Sequence, residues 1–510
     1  MASESDVETF VVSQSSVMYS STPLSPDIPQ NSPFNIQLSA TETPGQTHVD
    51  GLTQESADRV SELLMINYAR YHTLFDAVGF HNHTVHHLLT LYALGATPDE
   101  IRAMYDLNIG YQALVQYHPA SVVVELQDRA FFKQCIGDLS YYDSFVRFFQ
   151  DEIAQRGIPD VVNEYLFQGD DISDDILGRM HSGETLVIIR EKDTDSVGFL
   201  HPMIHLGCAL EFDQPLLVAE ALAAGCVHDD WPNSFLFPVE AHQKANQELP
   251  SKSMLEIMED LHRDPVIKNA VQMSDPINKI SDGLLAKVCD ELIPYLAQYR
   301  VTPTADELHR QTIDMVHDCA YMVGAAQYPG KVEALDFVML HTLTLSIFYP
   351  TFLAQDWITN ENKARLLHFK AWGDLVMYAG CGCPTLHADR ITKYVPKRPS
   401  DGWEELAHRA SVYGDDGHIS KVTRALLHAE SLPDPRPEFP LRKDDFIKIA
   451  HLGLDSVERM LEPGQYKVPE KIRKQVGEEM GQDEEIIRVM VRWVRWCGVE
   501  GAWNEFPDLH

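Results

Sequence analysis

The stretch FLHPMIHLGCALEF, residues 199–212, decides how the rest of the chain is read. Leu200, Ile204, Leu206 and Leu210 give it apolar surroundings. Pro202 suits the first turn of a helix, where its missing N–H costs nothing. In that helix His201 and His205, four residues apart, share a face, so both imidazoles can address one point in an apolar wall. On this pair alone two readings stay open: core histidines bonded to nearby carbonyls, or a pair of metal ligands. Other helices have to decide between them.

Helical signals recur along the chain. Thr53 to Asn67 opens on a cap-like Thr53 with apolar residues at Val60, Leu63, Leu64 and Ile66. His83 to Leu94 ends at Gly95, and Thr97-Pro98-Asp99-Glu100 caps the next helix. Further helices are expected over 140–153, 160–167, 214–224, 254–261, 282–299, 304–326, 334–348, 363–378, 421–431, 444–461 and 483–497. LVIIRE near Leu186 is the best strand candidate, and no fixed repeat emerges. The expected fold is all-α, one large irregular multi-helical domain over 51–510. Residues 1–50, rich in Ser, Thr, Pro and Gln, are expected to be a disordered N-terminal segment.

A net charge of −35 disfavours nucleic acid and anionic membrane surfaces as partners. The eight cysteines are scattered and the N-terminus MASESDVE has no apolar leader, so free thiols and a cytoplasmic location are expected. Phe337 to Ala354 carries no formal charge, but His341, Thr342, Thr344, Ser346 and Pro350 mark it as a core helix rather than a membrane span.

No G-x-G-x-x-G, P-loop or G-x-S-x-G is present. The only G-x-G, Gly380-Cys381-Gly382, runs into Cys383-Pro384, unlike a phosphate-binding turn. Histidine is what the chain has in excess, 23 in all. In HNHTVHHLL, His83 shares a helix face with His86 and His87, and at least one of the latter two is expected to face solvent. His341 is the one ionisable base in its uncharged helix. Lys370 lies among Leu366, Leu367, Phe369 and Trp372, either buried or with its head reaching water. His81 and His368 read as surface or hydrogen-bonded groups, and Glu211 and Glu220 as salt-bridge partners or carboxylate ligands. Three apolar helices that each offer imidazole favour a metal centre, and nitrogen donors alone leave Fe, Zn, Cu and Ni open.

The runs GFHNHTVHHLLTLYALGA (79–96), YQALVQYHPAS (111–121), GFLHPMIHLGCALEFDQPLLVAEALA (198–223), DFVMLHTLTLSIF (336–348) and LLHFKAWGDLVMYAGCGCPTL (366–386) resemble the questin oxidase-like family of fungal polyketide pathways. The resemblance implies an oxidoreductase that opens a ring of an anthraquinone or related aromatic polyketide in a mycotoxin-type pathway. Some members are described as NADPH-dependent Baeyer-Villiger oxidases, and one as a non-haem iron dioxygenase with four histidines and a carboxylated lysine. Carried over by motif, this implies His83, His201, His205 and His341 as imidazole ligands, with His87 as the alternative, and Lys370 as the carbamate and a catalytic residue. Fe(II) with O2 is then the implied cofactor set, and NADPH the alternative. Tyr111, Gln112, Tyr117 and His118 are candidates to line the substrate site. A non-enzymatic helical scaffold is the third reading, and the oligomeric state is open.

Overall fold

Capping residues and apolar spacing set most helices near their expected bounds. The computed structural model describes residues 32–75, 80–182, 200–276, 278–460 and 492–509. Thr53 accepts a hydrogen bond from the Ser56 N–H (3.2 Å) at the start of Gln54–Arg70, and Thr97 with Glu100 forms a capping box on Pro98–Asn108. The fold is all-α, and the one sheet among the described residues pairs Leu74–Phe75 with Phe80–His81. No helix of the described residues is long and apolar enough to cross a membrane, and all eight cysteines are free thiols.

The helix Pro215–Val227 is buried at every residue and packs against Tyr142–Phe167 and His201–Glu211, which makes it the spine of the core. Its Leu and Val side chains each contribute about 1.5–3 kcal/mol by leaving water. The His201–Glu211 helix approaches its neighbours closely because Gly207 has no side chain: a Cβ there would lie 2.2 Å from Phe348 Cγ.

Two expectations change. Residues 32–50 are ordered against the core, with Ile36 and Leu38 buried and the Gln46 N–H donating to Glu211 (2.8 Å), so the fold starts before Gly51. The two helices expected over 140–167 stand: the span Tyr142–Phe167 is broken at Gly157, whose φ of 81° is not helical, just before Pro159. The uncharged stretch splits into Leu340–Ser346 and Tyr349–Ala354. The Asp336 carboxylate accepts from the Val338 and Met339 N–H groups ahead of the first, and Pro350 sits in the first turn of the second. The LVIIRE strand and most of the 483–497 helix lie outside the described residues.

Candidate metal centre

The helix Thr84–Ala93 is enclosed on several sides, by Gln54–Arg70, His201–Glu211 and His418–Ser431, and each of its residues is buried. The expectation that His86 or His87 faces solvent therefore fails: they are 1% and 2% exposed. His83 is the residue just before this helix, and Gly417 just before the His418–Ser431 helix. Gly417 has φ +96°, and a Cβ on it would stand 2.6 Å from the His87 ring, so the absent side chain lets the two helix starts meet.

Four imidazoles form a closed circuit. Ring centroids are 4.8 Å apart for His83 and His201, 5.1 Å for His201 and His341, 5.2 Å for His341 and His418, and 4.8 Å for His418 and His83. His83 Nε2 lies 2.8 Å from His201 Nε2, and His341 Nε2 lies 3.4 Å from His418 Nε2. Burial holds all four neutral. It pushes His83 down to about 3 and His418 to about 4, and drives His201 and His341 well below the ordinary value, with nearby positive charge adding to the effect.

A neutral imidazole has one proton, and three of the four spend it on the protein. His83 Nδ1 (2.9 Å) and His418 Nδ1 (2.5 Å) donate to the two oxygens of Asp416, and His341 Nδ1 donates to the Phe337 carbonyl (2.8 Å). Their Nε2 atoms therefore carry lone pairs rather than protons: that of His83 meets His201 Nε2, and those of His341 and His418 face each other. Such a contact is repulsive until a cation sits near it. An Nδ1–H anchored on a carboxylate or carbonyl, with Nε2 aimed inward, is the arrangement that metal-binding histidines adopt, so the residues present fit a metal ion. His83, Asp416 and His418 also offer ligand atoms within 4.8 Å of one another. With both its oxygens accepting from imidazole, Asp416 is placed to orient ligands rather than to be one.

Of the residues expected as ligands, the structure brings His83, His201 and His341 together. His205, one turn beyond His201, donates from Nε2 to Glu220 (3.3 Å), and its ring is 5.2 Å from His86. Lys370 is fully buried, as one reading had it, but its Nζ is engaged by Asp374 and lies 3.3 Å from Cys319 Sγ. The lysine whose charge bears on His83, His86, His87, His201, His341 and His418 is Lys421, one turn along from His418 and buried. Sequence reasoning missed His418, Asp416 and Lys421. The signal was GDDGHISK, a carboxylate pair and a glycine directly before a histidine that opens a helix. His81 is buried and hydrogen-bonded to the Asn82 carbonyl and Thr73, His368 accepts from the Val301 N–H, and Glu211 pairs with Arg424. Of the candidate lining residues, Tyr111 lies near Asp416, which helps raise its pKa after burial. Tyr117 is exposed and donates to the Ala69 carbonyl, His118 lies 3.3 Å from Ser144 Oγ, and Gln112 donates to the Asn108 carbonyl.

Comparison with known proteins adds the family. Residues 80–426 match the family described as Questin oxidase-like, a span that includes all four circuit histidines, Asp416 and Lys421. The chain is 48% identical over 484 residues to oxidoreductase AflY of Aspergillus parasiticus, covering 94% of this chain and 95% of that protein. It is 33% identical over 422 residues to Baeyer-Villiger monooxygenase dmxR6 of a Cryptosporiopsis species (81% and 91% covered), and 31% identical over 415 residues to questin oxidase of Aspergillus terreus (79% and 89%). With a buried imidazole circuit inside the matched span, the chain is an oxygenase-type oxidoreductase and belongs to the questin oxidase-like family.

Proposed function

We propose that this protein cleaves a ring of an anthraquinone or related aromatic polyketide, in a fungal mycotoxin-type pathway, by activating O2 at a non-haem iron held by His83, His201, His341 and His418. The supporting observation is the closed circuit of neutral imidazoles, three of them with Nδ1–H committed, which leaves the proton off Nε2. Iron as the ion follows from the family resemblance, since nitrogen donors alone do not select it. Bound iron would supply the electron-transfer chemistry that lets O2 react with a closed-shell organic substrate.

The chain's own residues do the rest. Asp416 fixes the tautomers of two ligands from one carboxylate. Phe337, 5.2 Å from His341, and Trp493, 6.5 Å from His418, give the centre an aromatic wall against water. The carbamate expected at Lys370 is assigned in this proposal to Lys421, the buried lysine beside the imidazoles, whose amine on reaction with CO2 would present an anionic oxygen donor. Elemental analysis of the purified protein, paired with isotopically labelled O2 and a panel of anthraquinones, tests the proposal. Turnover by metal-free protein would end it.

The relatives' names favour a second reading, a Baeyer-Villiger oxidation; on the same substrate class this reaction would draw its electrons from NADPH. Stopped-flow mixing with NADPH, with and without O2, separates the two. Nucleotide oxidation coupled to product formation supports the second reading against the first.

A further inference from the structure

We propose that His205, held in one tautomer by Glu220, accepts a hydrogen bond from a phenolic hydroxyl of the substrate beside the imidazole circuit, with His86 serving the neighbouring oxygen. This deepens the function proposed above and rests on it.

The argument starts from where protons sit. The side chains of His205 and Glu220 are each 4% exposed, and His205 Nε2 is 3.3 Å from Glu220 Oε2. A carboxylate only accepts, so Nε2 carries the proton and Nδ1 is left as a lone pair. That Nδ1 is buried and has no hydrogen-bond partner among the described residues. The ring packed edge-on to it, His86 at 5.2 Å, has both nitrogens in the same condition. His86 also lies parallel to His201, at 6.1 Å and 4° between planes, so it borders the circuit, and His205, one turn beyond His201 on that residue's helix, packs on it.

A buried polar atom without a partner costs about 1–3 kcal/mol. His81, 5.2 Å from His86, has by contrast one nitrogen on the Asn82 carbonyl and the other on Thr73. The unspent nitrogens of His86 and His205 therefore await something the chain does not contain. Two imidazoles, each able to give one ligand atom, are too few to make a metal centre of their own. Together they offer a fixed acceptor at His205 and, at His86, one donor and one acceptor. A hydroxyl next to a carbonyl on a fused aromatic ring matches that set, the hydroxyl donating to His205 and the carbonyl accepting from His86. No covalent step is involved: Glu220 is a positioning residue, acting on the substrate only through His205.

The test is equilibrium binding, without O2, of a hydroxyanthraquinone and its O-methyl ether to the metal-loaded full chain, followed by ligand absorbance, with metal content measured in parallel. The wild type is expected to prefer the hydroxyl form by about tenfold, the worth of one buried hydrogen bond. His205→Phe should bring the preference close to one. Glu220→Gln, which keeps the volume but no longer dictates the tautomer, should reduce it severalfold while metal content holds. A preference unchanged in Glu220→Gln overturns the inference. So does loss of metal in that variant, which would make His205 a ligand steered by Glu220. If the wild type holds its metal but binds neither compound, the substrate reading itself has failed and the inference falls with it.

Discussion

Replacing Asp416 by asparagine probes the centre where the reasoning is most exposed. In the wild type each carboxylate oxygen takes one Nδ1–H, from His83 and from His418. An asparagine of the same shape has one acceptor and one NH2, so one of the two imidazoles must turn its proton to Nε2, which then cannot bind a cation. Losing an outer partner of a ligand histidine typically weakens metal binding 10–100-fold. Because one residue here orients two ligands, the upper end applies, about 100-fold or about 2.8 kcal/mol. The assay is anaerobic titration with Fe(II) against a competing chelator, with circular dichroism to show that the variant is folded. A folded Asp416→Asn protein that binds Fe(II) as tightly as the wild type would refute the tautomer argument.

Other outcomes follow from the same geometry. Lys421→Ala should lose metal and turnover together. Lys370→Met should keep its metal yet lose about 3–5 kcal/mol of stability in urea melts, because Asp374 stays buried without its partner. Metal loss in Lys370→Met would return that residue to the ligand set. Gly417→Ala, forced to hold φ +96° with its Cβ against His87, should cost about 1–3 kcal/mol and lower metal occupancy. In metal-free protein, stability should fall as pH drops below 6.5. The unfolded chain takes up protons on its histidines there, while folded His418 and His83 do so only near 4 and 3. Each such imidazole steepens the loss by up to about 1.4 kcal/mol per pH unit within that window. Thermal melts between pH 7.5 and 5 that show no decline would contradict the buried neutral state.

Apolar runs show where imidazoles are buried but not which of them converge: His86, His87 and His205 share those runs without joining the circuit. His83, His201 and His341 stand among leucines, valines and isoleucines at helical spacing, where a solvated role is implausible, and all three reach the circuit. His418 follows GDDG, which reads as a loop, so the helix was expected to begin at Lys421 and its opening histidine went unremarked. Lys370 and Lys421 look alike by neighbourhood. What separates them is Asp374, four residues after Lys370 on the same helix face, which supplies a local partner that pattern alone did not weigh. The order of residues 32–50 was hidden for another reason: few of its side chains are apolar, and it is tied down by backbone and charged contacts to helices far along the chain.

That tie reaches the centre. Arg424, on the helix that begins with His418, pairs with Glu211, at the end of the helix that begins with His201, and donates to the Thr47 carbonyl. The leading segment thus straps together the two helices that bring half of the imidazoles, although those helices lie some two hundred positions apart in the chain. On the proposed function, an ion could be captured only after the chain from Thr47 to Arg424 has closed on itself, so that cofactor uptake would report that closure and a chain cut short of His418 would fail to hold it.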